Sequence, residues 1–285
     1  MDLGQALREA DRDAYLATLF APEAVRDALA ALALYHVELD RIVARAREQL
    51  AAEVRLQWWR DAIRNEGFGE GAPVPLVVAL REAMARYAWP ADTLCAISEA
   101  RIHELYADPF GDLSAFDGYA GEVFAAPLQL AAMALAVEAH GEAEGLGVAR
   151  AAATAAGFGG VARAAADTVL HERARLSAGR THIPASVWQE AGSANLQADL
   201  AAHAVPAGLE AASAAVIAHG LAADKQMREA IPALPAPLRV ALLPAFSAAP
   251  VLRAVATNLQ RPRLPGPLRR QWQLWRDARG LSRGP

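Results

Sequence analysis

Apolar residues recur along most of this chain at intervals of three or four, which is the spacing of one face of an α-helix. After Pro22, for example, Val25, Leu29 and Leu32 follow at this spacing, so a helix is predicted to begin next to the proline. Clusters of β-branched residues in alternation are scarce, which leaves little from which to build a sheet. Alanine, the strongest helix former, supplies much of the hydrophobic content of 54%. The pattern predicts an all-α protein.

Glycine and proline divide this pattern into about ten to twelve predicted helices. Besides the helix after Pro22, helices are predicted over 54–63, 77–87, 92–106 and 113–137, in a long segment after 141–147, and in three shorter stretches after Pro184. A loop rich in glycine and proline is predicted at 67–73. The chain shows no internal repeat and no linker long enough to separate domains. Residues 1–285 are therefore predicted to form one helical bundle.

Charge and cysteine content exclude several classes of function. The formal net charge of −4 gives no reason to propose a nucleic-acid partner. Cys95 is the only cysteine, so an intramolecular disulfide and a site of several thiolates are both excluded. The first residues lack the pattern of a signal peptide, and a cytoplasmic protein is expected. The apolar stretch 123–137 is shorter than the roughly 20 residues of a membrane span, and it is predicted to be a buried core helix.

Two predicted helices carry polar residues one turn apart. The first contains Asp40 and Arg41, with Ala44 one turn later; the second contains Asp167, His171 and Arg175 and leads into the strip Gly-Arg-Thr-His-Ile-Pro at 179–184. Their order and spacing resemble the squalene/phytoene synthase family of head-to-head isoprenoid synthases. The resemblance implies an isoprenoid-synthase-like bundle with a central cavity.

The resemblance also implies where the family's metal ligands fall. The family carries an Asp-x-x-x-Asp motif on each of two facing helices, and these carboxylates bind Mg²⁺ on allylic diphosphates. Asp40 matches the first aspartate, while Arg41 and Ala44 replace the next two carboxylates of that helix. His171 and Arg175 replace the second pair. Mg²⁺ requires hard oxygen ligands, and the four Asp-x-x-x-Asp positions, now Asp40, Ala44, His171 and Arg175, sum to a charge of about zero, so the site is predicted to hold no metal.

Three further segments extend the resemblance over most of the chain, at 11–22, 55–63 and 113–123. Residues 55–63 are most similar to a divergent branch that includes the assembly factor of respiratory complex I, whose metal motifs are also eroded. The expected function is therefore that of a catalytically degenerate binding or assembly protein, with a membrane-associated protein partner and an isoprenoid or other lipid-like ligand. The alternative is an active prenyl transferase that condenses isoprenoid diphosphates with Mg²⁺. The two differ in whether Glu38, Asp40 and Asp167 converge with other acids.

Arginines near the two motifs are candidates for binding a diphosphate directly, because guanidinium groups form paired hydrogen bonds with phosphate oxygens. If the resemblance holds, several of them border the mouth of the cavity. The ligand-binding candidates are Arg41, Arg45, Arg163, Asp167, Arg180 and Tyr119, with Arg175 considered beside them. Arginines on successive helix turns are also typical of a solvated face, and that interpretation is favoured. The glycines of 157–160 are expected to serve close helix packing rather than phosphate binding.

Other acids and histidines at intervals of four give weaker signals. Asp167 pairs with His171 in this way, as does Glu99 with His103, and Glu104, Asp108 and Asp112 form a series. Such pairs arise often by chance in a helical protein, so capping or surface roles are favoured over metal binding. Trp58 and Trp59 are adjacent and must face different directions, so at least one of them is expected in the core.

The tail at 261–285 is basic, with seven arginines and a single acid, Asp277. Trp272 and Trp275 lie between the arginines. Such a segment is typical of an interfacial helix on anionic lipid, which would place the protein at the periphery of the inner membrane. It is equally typical of a terminal helix that docks onto the bundle through its tryptophans. Docking through Trp272 and Trp275 is the favoured prediction.

Overall fold

The computed structural model describes residues 2–46, 48–64 and 74–282, and within them the chain is helical with no strand. The predicted loop at 67–73 lies outside the described residues. The α-helices of the described part are α1 Leu3–Ala10, α2 Arg12–Thr18, α3 Glu23–Ala44, α4 Gln49–Arg64, α5 Pro75–Tyr87, α6 Ala91–Ala100, α7 Leu113–Ala120, α8 Ala126–His140, α9 Glu142–Ala149, α10 Ala153–Ser177, α11 Ala185–Glu190, α12 Leu196–Ala201, α13 Leu209–Ala230, α14 Ala236–Arg239, α15 Ala248–Thr257 and α16 Pro267–Ser282. The all-α prediction is confirmed.

The described part contains more helices than predicted because several segments are interrupted. The residues before Pro22 form two short helices, and Asp2 and Asp11 each cap one by accepting a backbone N–H at 2.9 Å. The predicted helix 92–106 ends at Ala100 and tightens into a 3-10 turn, Arg101–Leu105. A longer 3-10 segment, Val240–Ser247, joins α14 to α15.

Helix α10 forms the centre of the bundle and packs against α13, α15, α8 and the segment between α7 and α8. Small residues allow this close approach. A Cβ atom on Gly160 would lie 2.6 Å from the backbone nitrogen of Ala125, and one on Gly220 would lie 2.5 Å from the Cβ of Ala165. Both distances are too short for non-bonded atoms. The expectation that Gly160 serves helix packing is therefore confirmed.

The predicted helix 113–137 is present as α7 and α8, joined by one π-helical turn at Gly121–Ala125. The turn brings Phe124 toward the centre of the bundle, and Pro127 follows it directly, in the first turn of α8. Two segments of the described chain, 113–140 and 236–257, are long and apolar enough to span a membrane by length and composition alone. Within the 18-residue apolar window of each segment, 72% of the first and 50% of the second is buried inside the bundle. Burial of 123–137 agrees with its prediction as a core helix.

The prediction that α16 docks through its tryptophans is wrong. Helix α16 does pack on the bundle, but through Ala278 and Leu281, which are 3% and 5% exposed. Trp272 and Trp275 lie on the other side and are 57% and 45% exposed. Alanine and leucine dock more closely than two indole rings would, and the arginines beside the tryptophans keep their access to water on the outer side.

The adjacent pair Trp58 and Trp59 behaves as predicted. Trp59 is buried, with 6% of its surface exposed, which confirms that at least one of the two lies in the core.

Candidate functional site

A cavity of about 390 Å³ lies at the centre of the bundle. It is enclosed by α2, α3, the start of α8, α10, the 3-10 segment Val240–Ser247 and α15. The N-terminal turns of α3 contribute Leu29 and Leu32 to its wall, and α8 contributes Leu128. The next turns of α3 contribute His36 and Asp40. The cavity therefore has an apolar body and a polar end, and the predicted central cavity is confirmed.

On the α3 side of the polar end, Asp40 is paired with an arginine from a distant part of the chain. Arg101, in the 3-10 turn, donates to Asp40 Oδ1 at 2.6 Å and lies 3.0 Å from Nε2 of His36. Its other terminal nitrogen donates to Glu104 at 3.0 Å. Arg101 and Glu104 are almost fully buried, whereas half of the Asp40 side chain faces the water-accessible cavity. One buried guanidinium thus contacts two carboxylates and an imidazole.

The surroundings of Asp40 and His36 shift their pKa values in opposite directions. Burial raises the pKa of Asp40 to about 6, although Arg101 acts to lower it; Asp167 and Glu104 add a smaller repulsion that raises it further. Burial and the charge of Arg101 hold the pKa of His36 well below its usual value. His36 is therefore neutral at physiological pH, and its Nε2 can accept the hydrogen bond from Arg101.

On the α10 side, Asp167, His171 and Arg175 follow one another at single-turn intervals. Arg175 donates to Asp167 Oδ2 at 2.5 Å, and Nδ1 of His171 lies 2.9 Å from Asp167 Oδ1. Burial acts to raise the pKa of Asp167, but Arg175 and His171 together hold it well below its usual value. The hydrogen bond to Asp167 raises the pKa of His171 in return. Asp167 is consequently an ionised carboxylate with two partners on its own helix.

Arg163 lies one turn before Asp167 and reaches the cavity wall without a charged partner. Within the described residues, its guanidinium makes no hydrogen bond or ion pair; its contact is with the ring of Phe124, 5.6 Å from the ring centre. Burial lowers the pKa of Arg163, which nevertheless stays far above neutrality. The π-helical turn places Phe124 against both Arg163 and His36. This leaves a cation that faces the cavity with its hydrogen-bond donors available.

The strip at 179–184 fastens the end of α10 to the bundle rather than lining the cavity. Arg180 donates to the backbone oxygen of Glu104 at 2.8 Å. Thr181 donates to Glu172 and accepts from the indole N–H of Trp188 at 3.1 Å. Burial raises the pKa of Glu172 to about 7, so its carboxyl is substantially protonated near neutral pH.

The structure separates the predicted site residues into two groups. Asp40, Arg163, Asp167 and His171 meet around the cavity, and Arg175 stands behind Asp167. The remaining candidates lie outside its lining and are Arg41, Ala44, Arg45, Arg180 and Tyr119. Arg41 binds Glu38 on the surface, Ala44 and Arg45 are exposed at the end of α3, and the buried ring of Tyr119 packs on Phe110 and His182.

Three polar residues of the site were not identified from the sequence, namely His36, Arg101 and Asp11. His36 precedes Asp40 by one helical turn, so its place on the same face of α3 could have been predicted from the spacing. Asp11 caps α2 and lines the cavity as well. Arg101 offered no signal, because it approaches Asp40 from 61 residues away in the chain. In the described part of the chain, no three or more of His, Cys, Asp and Glu are grouped so that they could hold a metal ion.

Comparison with known proteins identifies what the chain is similar to. The sequence model of squalene/phytoene synthase matches residues 7–276. The crystal structure of squalene synthase HpnC from Alicyclobacillus acidocaldarius aligns with a TM-score of 0.66 and 16% identity, over 92% of this chain and 94% of that chain. A dehydrosqualene synthase in complex with ligand aligns with a TM-score of 0.69 and 12% identity, over 98% of this chain and 94% of that chain. A search of curated proteins gives no match.

Proposed function

The chain belongs to the squalene/phytoene synthase family, and from this premise we propose that it binds an isoprenoid-type lipid in its cavity without a divalent metal and does not catalyse metal-dependent prenyl transfer. One observation carries the proposal. The two carboxylates that face each other across the polar end, Asp40 and Asp167, are each already bound to an arginine of the same chain.

The donor set at the polar end does not fit Mg²⁺. This ion requires near-octahedral coordination by oxygen atoms and gives up its water reluctantly. Arg101 holds one oxygen of Asp40, and Arg175 and His171 hold both oxygens of Asp167, so a divalent cation bound here would lie beside two guanidiniums. Arg163 would add a third positive charge at the same place. Of the other donors, His36 and His171 offer nitrogen atoms, which suit softer metals than Mg²⁺, and Asp11 already accepts the backbone N–H of Ala14.

The lining of the cavity supports a ligand with an apolar chain and an anionic head. A volume of about 390 Å³ lies within the common range for small-molecule sites. The body of the cavity is lined by leucine, valine, alanine and proline. At the polar end, Arg163 offers a guanidinium without an acidic partner, and such a group binds phosphate oxygens directly. An isoprenoid diphosphate has both parts.

We also propose a role for the chain in assembling a membrane-bound complex, which rests on the resemblance of residues 55–63 to the complex I assembly branch. These residues lie in α4, whose outer face carries two exposed apolar side chains one turn apart. Leu50 is 72% exposed and Val54 is 55% exposed. Apolar side chains in this arrangement suit contact with a protein partner.

The alternative, an active prenyl transferase, is supported by the position of the two aspartates. Asp40 and Asp167 lie on facing helices and line the same cavity, as the metal ligands of an enzyme would. Glu38 does not join them, since it binds Arg41 on the surface. Activity would require a metal to bind the oxygen of Asp40 that Arg101 does not contact, and Asp167 to release Arg175 or His171.

Calorimetric titration with farnesyl diphosphate, in EDTA and then in Mg²⁺, tests the proposal. We expect saturable binding with the same affinity in both solutions. Replacing Arg163 by Gln should weaken this binding about 10- to 100-fold, because a hydrogen bond to a charged group contributes about 1.5–3 kcal/mol. Arg173→Gln is the matched control, since Arg173 is an exposed arginine of the same helix outside the cavity lining.

A parallel assay for released diphosphate separates the two functions. The proposal predicts no release above background with Mg²⁺ and two equivalents of substrate. Release that requires Mg²⁺ and is lost in Asp40→Ala would establish the transferase instead. Equal binding by the Arg163→Gln and Arg173→Gln variants would show that the anion does not bind at the polar end.

A further inference from the structure

Helix α16 presents two chemically distinct faces. Its inner face packs on the bundle through Ala278 and Leu281, and Arg239 donates to the backbone oxygen of Leu281 at 3.4 Å. Near the beginning of α16, Arg270 forms an ion pair with Asp13 of α2 at 3.2 Å. These contacts fix the helix on the surface of the protein, so the direction of its outer face is defined.

The outer face of α16 carries the largest exposed apolar side chains of the tail. Leu268 is 82% exposed, Trp272 57% and Trp275 45%, and Arg279 continues the series. These residues follow one another at intervals of four, three and four, so they form one stripe along the helix. Cations cover both indoles, with the Arg276 guanidinium 5.1 Å from the ring centre of Trp272 and that of Arg279 4.0 Å from that of Trp275.

The charge of the tail contrasts with that of the rest of the chain. Seven of the 28 basic side chains lie in residues 261–285, together with only one of the 32 acidic ones. The remaining residues are therefore strongly acidic as a group. An anionic surface would repel that body and attract the tail, so it would orient the protein with α16 toward it.

We propose that the outer face of α16, defined by Leu268, Trp272, Trp275, Arg276 and Arg279, docks on the surface of an anionic lipid bilayer. Tryptophan and arginine match the boundary between head groups and acyl chains, because the ring enters the apolar layer while the charge stays with the phosphates. The stripe runs along a single helix that stands on the outside of the bundle, which suits a flat surface. An acidic protein would match the arginines equally well, but it would not by itself account for the apolar stripe between them.

Docking in this orientation would also place the cavity wall near the bilayer. Helix α16 packs against α2 and against the 3-10 segment Val240–Ser247. Both elements line the cavity, α2 with Ala14 and Ala17 and the 3-10 segment with Pro244. A lipid that moves between bilayer and cavity would therefore have a short path. This consequence rests on the proposed function, whereas the docking surface itself does not.

Cosedimentation of the full chain with vesicles of phosphatidylcholine containing about one third phosphatidylglycerol tests the proposal. We expect binding to these vesicles that weakens with added salt, and little binding to phosphatidylcholine alone. The variant Trp272→Ala/Trp275→Ala should bind at least about ten-fold more weakly. Arg276→Gln and Arg279→Gln should each weaken binding on the order of five-fold. Because these side chains are exposed, the melting temperature should not change.

Matched controls and alternative outcomes make the test decisive. Leu50→Ala/Val54→Ala removes exposed apolar surface from α4, and Arg253→Gln removes an exposed arginine from α15; both variants should bind vesicles as the parent does. Equal loss of binding in the α4 and α16 variants would overturn the proposal. The proposal would also be overturned if the parent protein did not bind the vesicles but bound polyglutamate, which would indicate an acidic protein partner. Calorimetry with soluble farnesyl diphosphate contains no vesicles, so failure of the cavity function is recorded separately.

Discussion

The two helices that face each other across the cavity each carry one aspartate bound to one arginine, yet the two pairs differ in construction. On α10, Asp167 receives Arg175 and His171 from the following two turns of the same helix. On α3, Asp40 receives Arg101 from a 3-10 turn far away in the sequence, and it shares this arginine with Glu104 and His36. One pair is local, whereas the other depends on the tertiary structure.

This difference explains why the two carboxyl groups titrate differently. Both side chains lie partly inside the protein, and burial by itself raises a carboxyl pKa. Asp167 has an arginine and a histidine that serve no other carboxylate at close range, and its pKa stays well below the usual value. Arg101 contacts Glu104 and His36 as well as Asp40, and the pKa of Asp40 is raised to about 6. Burial therefore outweighs the single shared cation at Asp40, whereas Arg175 and His171 together outweigh burial at Asp167.

Removing the shared arginine should have the largest effect. Arg101→Leu leaves the buried Glu104 without its cation, and breaking a buried pair in this way costs about 3–5 kcal/mol of unfolding free energy. Urea denaturation measures the loss. Replacing Arg101 and Glu104 together by leucine should restore much of it, because no uncompensated charge then remains. Arg60→Leu is the control, a more exposed arginine near Asp61 and Glu99, and it should cost at most about 1 kcal/mol. Equal losses for Arg101 and Arg60 would contradict this account.

Removing the local arginine should have an intermediate effect. In Arg175→Leu, Asp167 keeps His171 as a hydrogen-bond partner, so the expected loss is about 1–3 kcal/mol of unfolding free energy. The pKa of Asp167 should rise toward its usual value, while that of Asp40 should change little. Carbon-13 NMR of aspartate carboxyl groups follows both titrations. A larger loss than in Arg101→Leu would show that the local pair, and not the shared one, holds the site together.

A third test varies the pH instead of removing an arginine. Because the folded-state pKa of Asp40 exceeds its usual value of 3.8, ionisation of Asp40 opposes folding, and stability should fall as the pH rises from about 4 through about 6. Glu172 acts in the same direction up to about pH 7. Asp167 acts oppositely, since its lowered pKa makes stability fall only below about pH 4.

The variant Asp40→Asn isolates this contribution. Urea midpoints measured between about pH 4 and pH 8 should vary less in the variant than in the parent, with the difference confined to the window below about pH 6. Glu172→Gln should remove the part that extends to about pH 7. A parent that grows more stable through this window would show that Arg101 outweighs burial at Asp40.

Most of the fold could be predicted from the sequence because helix formation and amphipathic spacing are local properties. The regions of α3, α5 and α10 follow from apolar periodicity, and proline and glycine mark many of the boundaries. The interruptions were harder to predict. The 3-10 turn at Arg101 and the π-helical turn at Gly121–Ala125 arise from tertiary packing, the latter against Gly160, and neither sequence carries a distinct signal.

The candidate site could be predicted only in part, for the same reason. Asp40, Asp167, His171 and Arg175 follow from helical spacing and from the resemblance to the family. Arg101 could not be found in this way, since its role depends on how the 3-10 turn packs against α3. Helical periodicity likewise placed Trp272 and Trp275 on an apolar face of α16, but it could not show that the smaller Ala278 would face the bundle.

The central position of α10 determines how a bound ligand would change the stability of the protein. This helix is surrounded by α13, α15 and α8, so its amide hydrogens should exchange with solvent only when the whole bundle opens. Helix α16, on the periphery, should exchange through local opening. A molecule held by Arg163 would be coupled to the most slowly exchanging part of the structure. Its binding free energy would then add to the global unfolding free energy, and a thermal-shift screen would detect it in full.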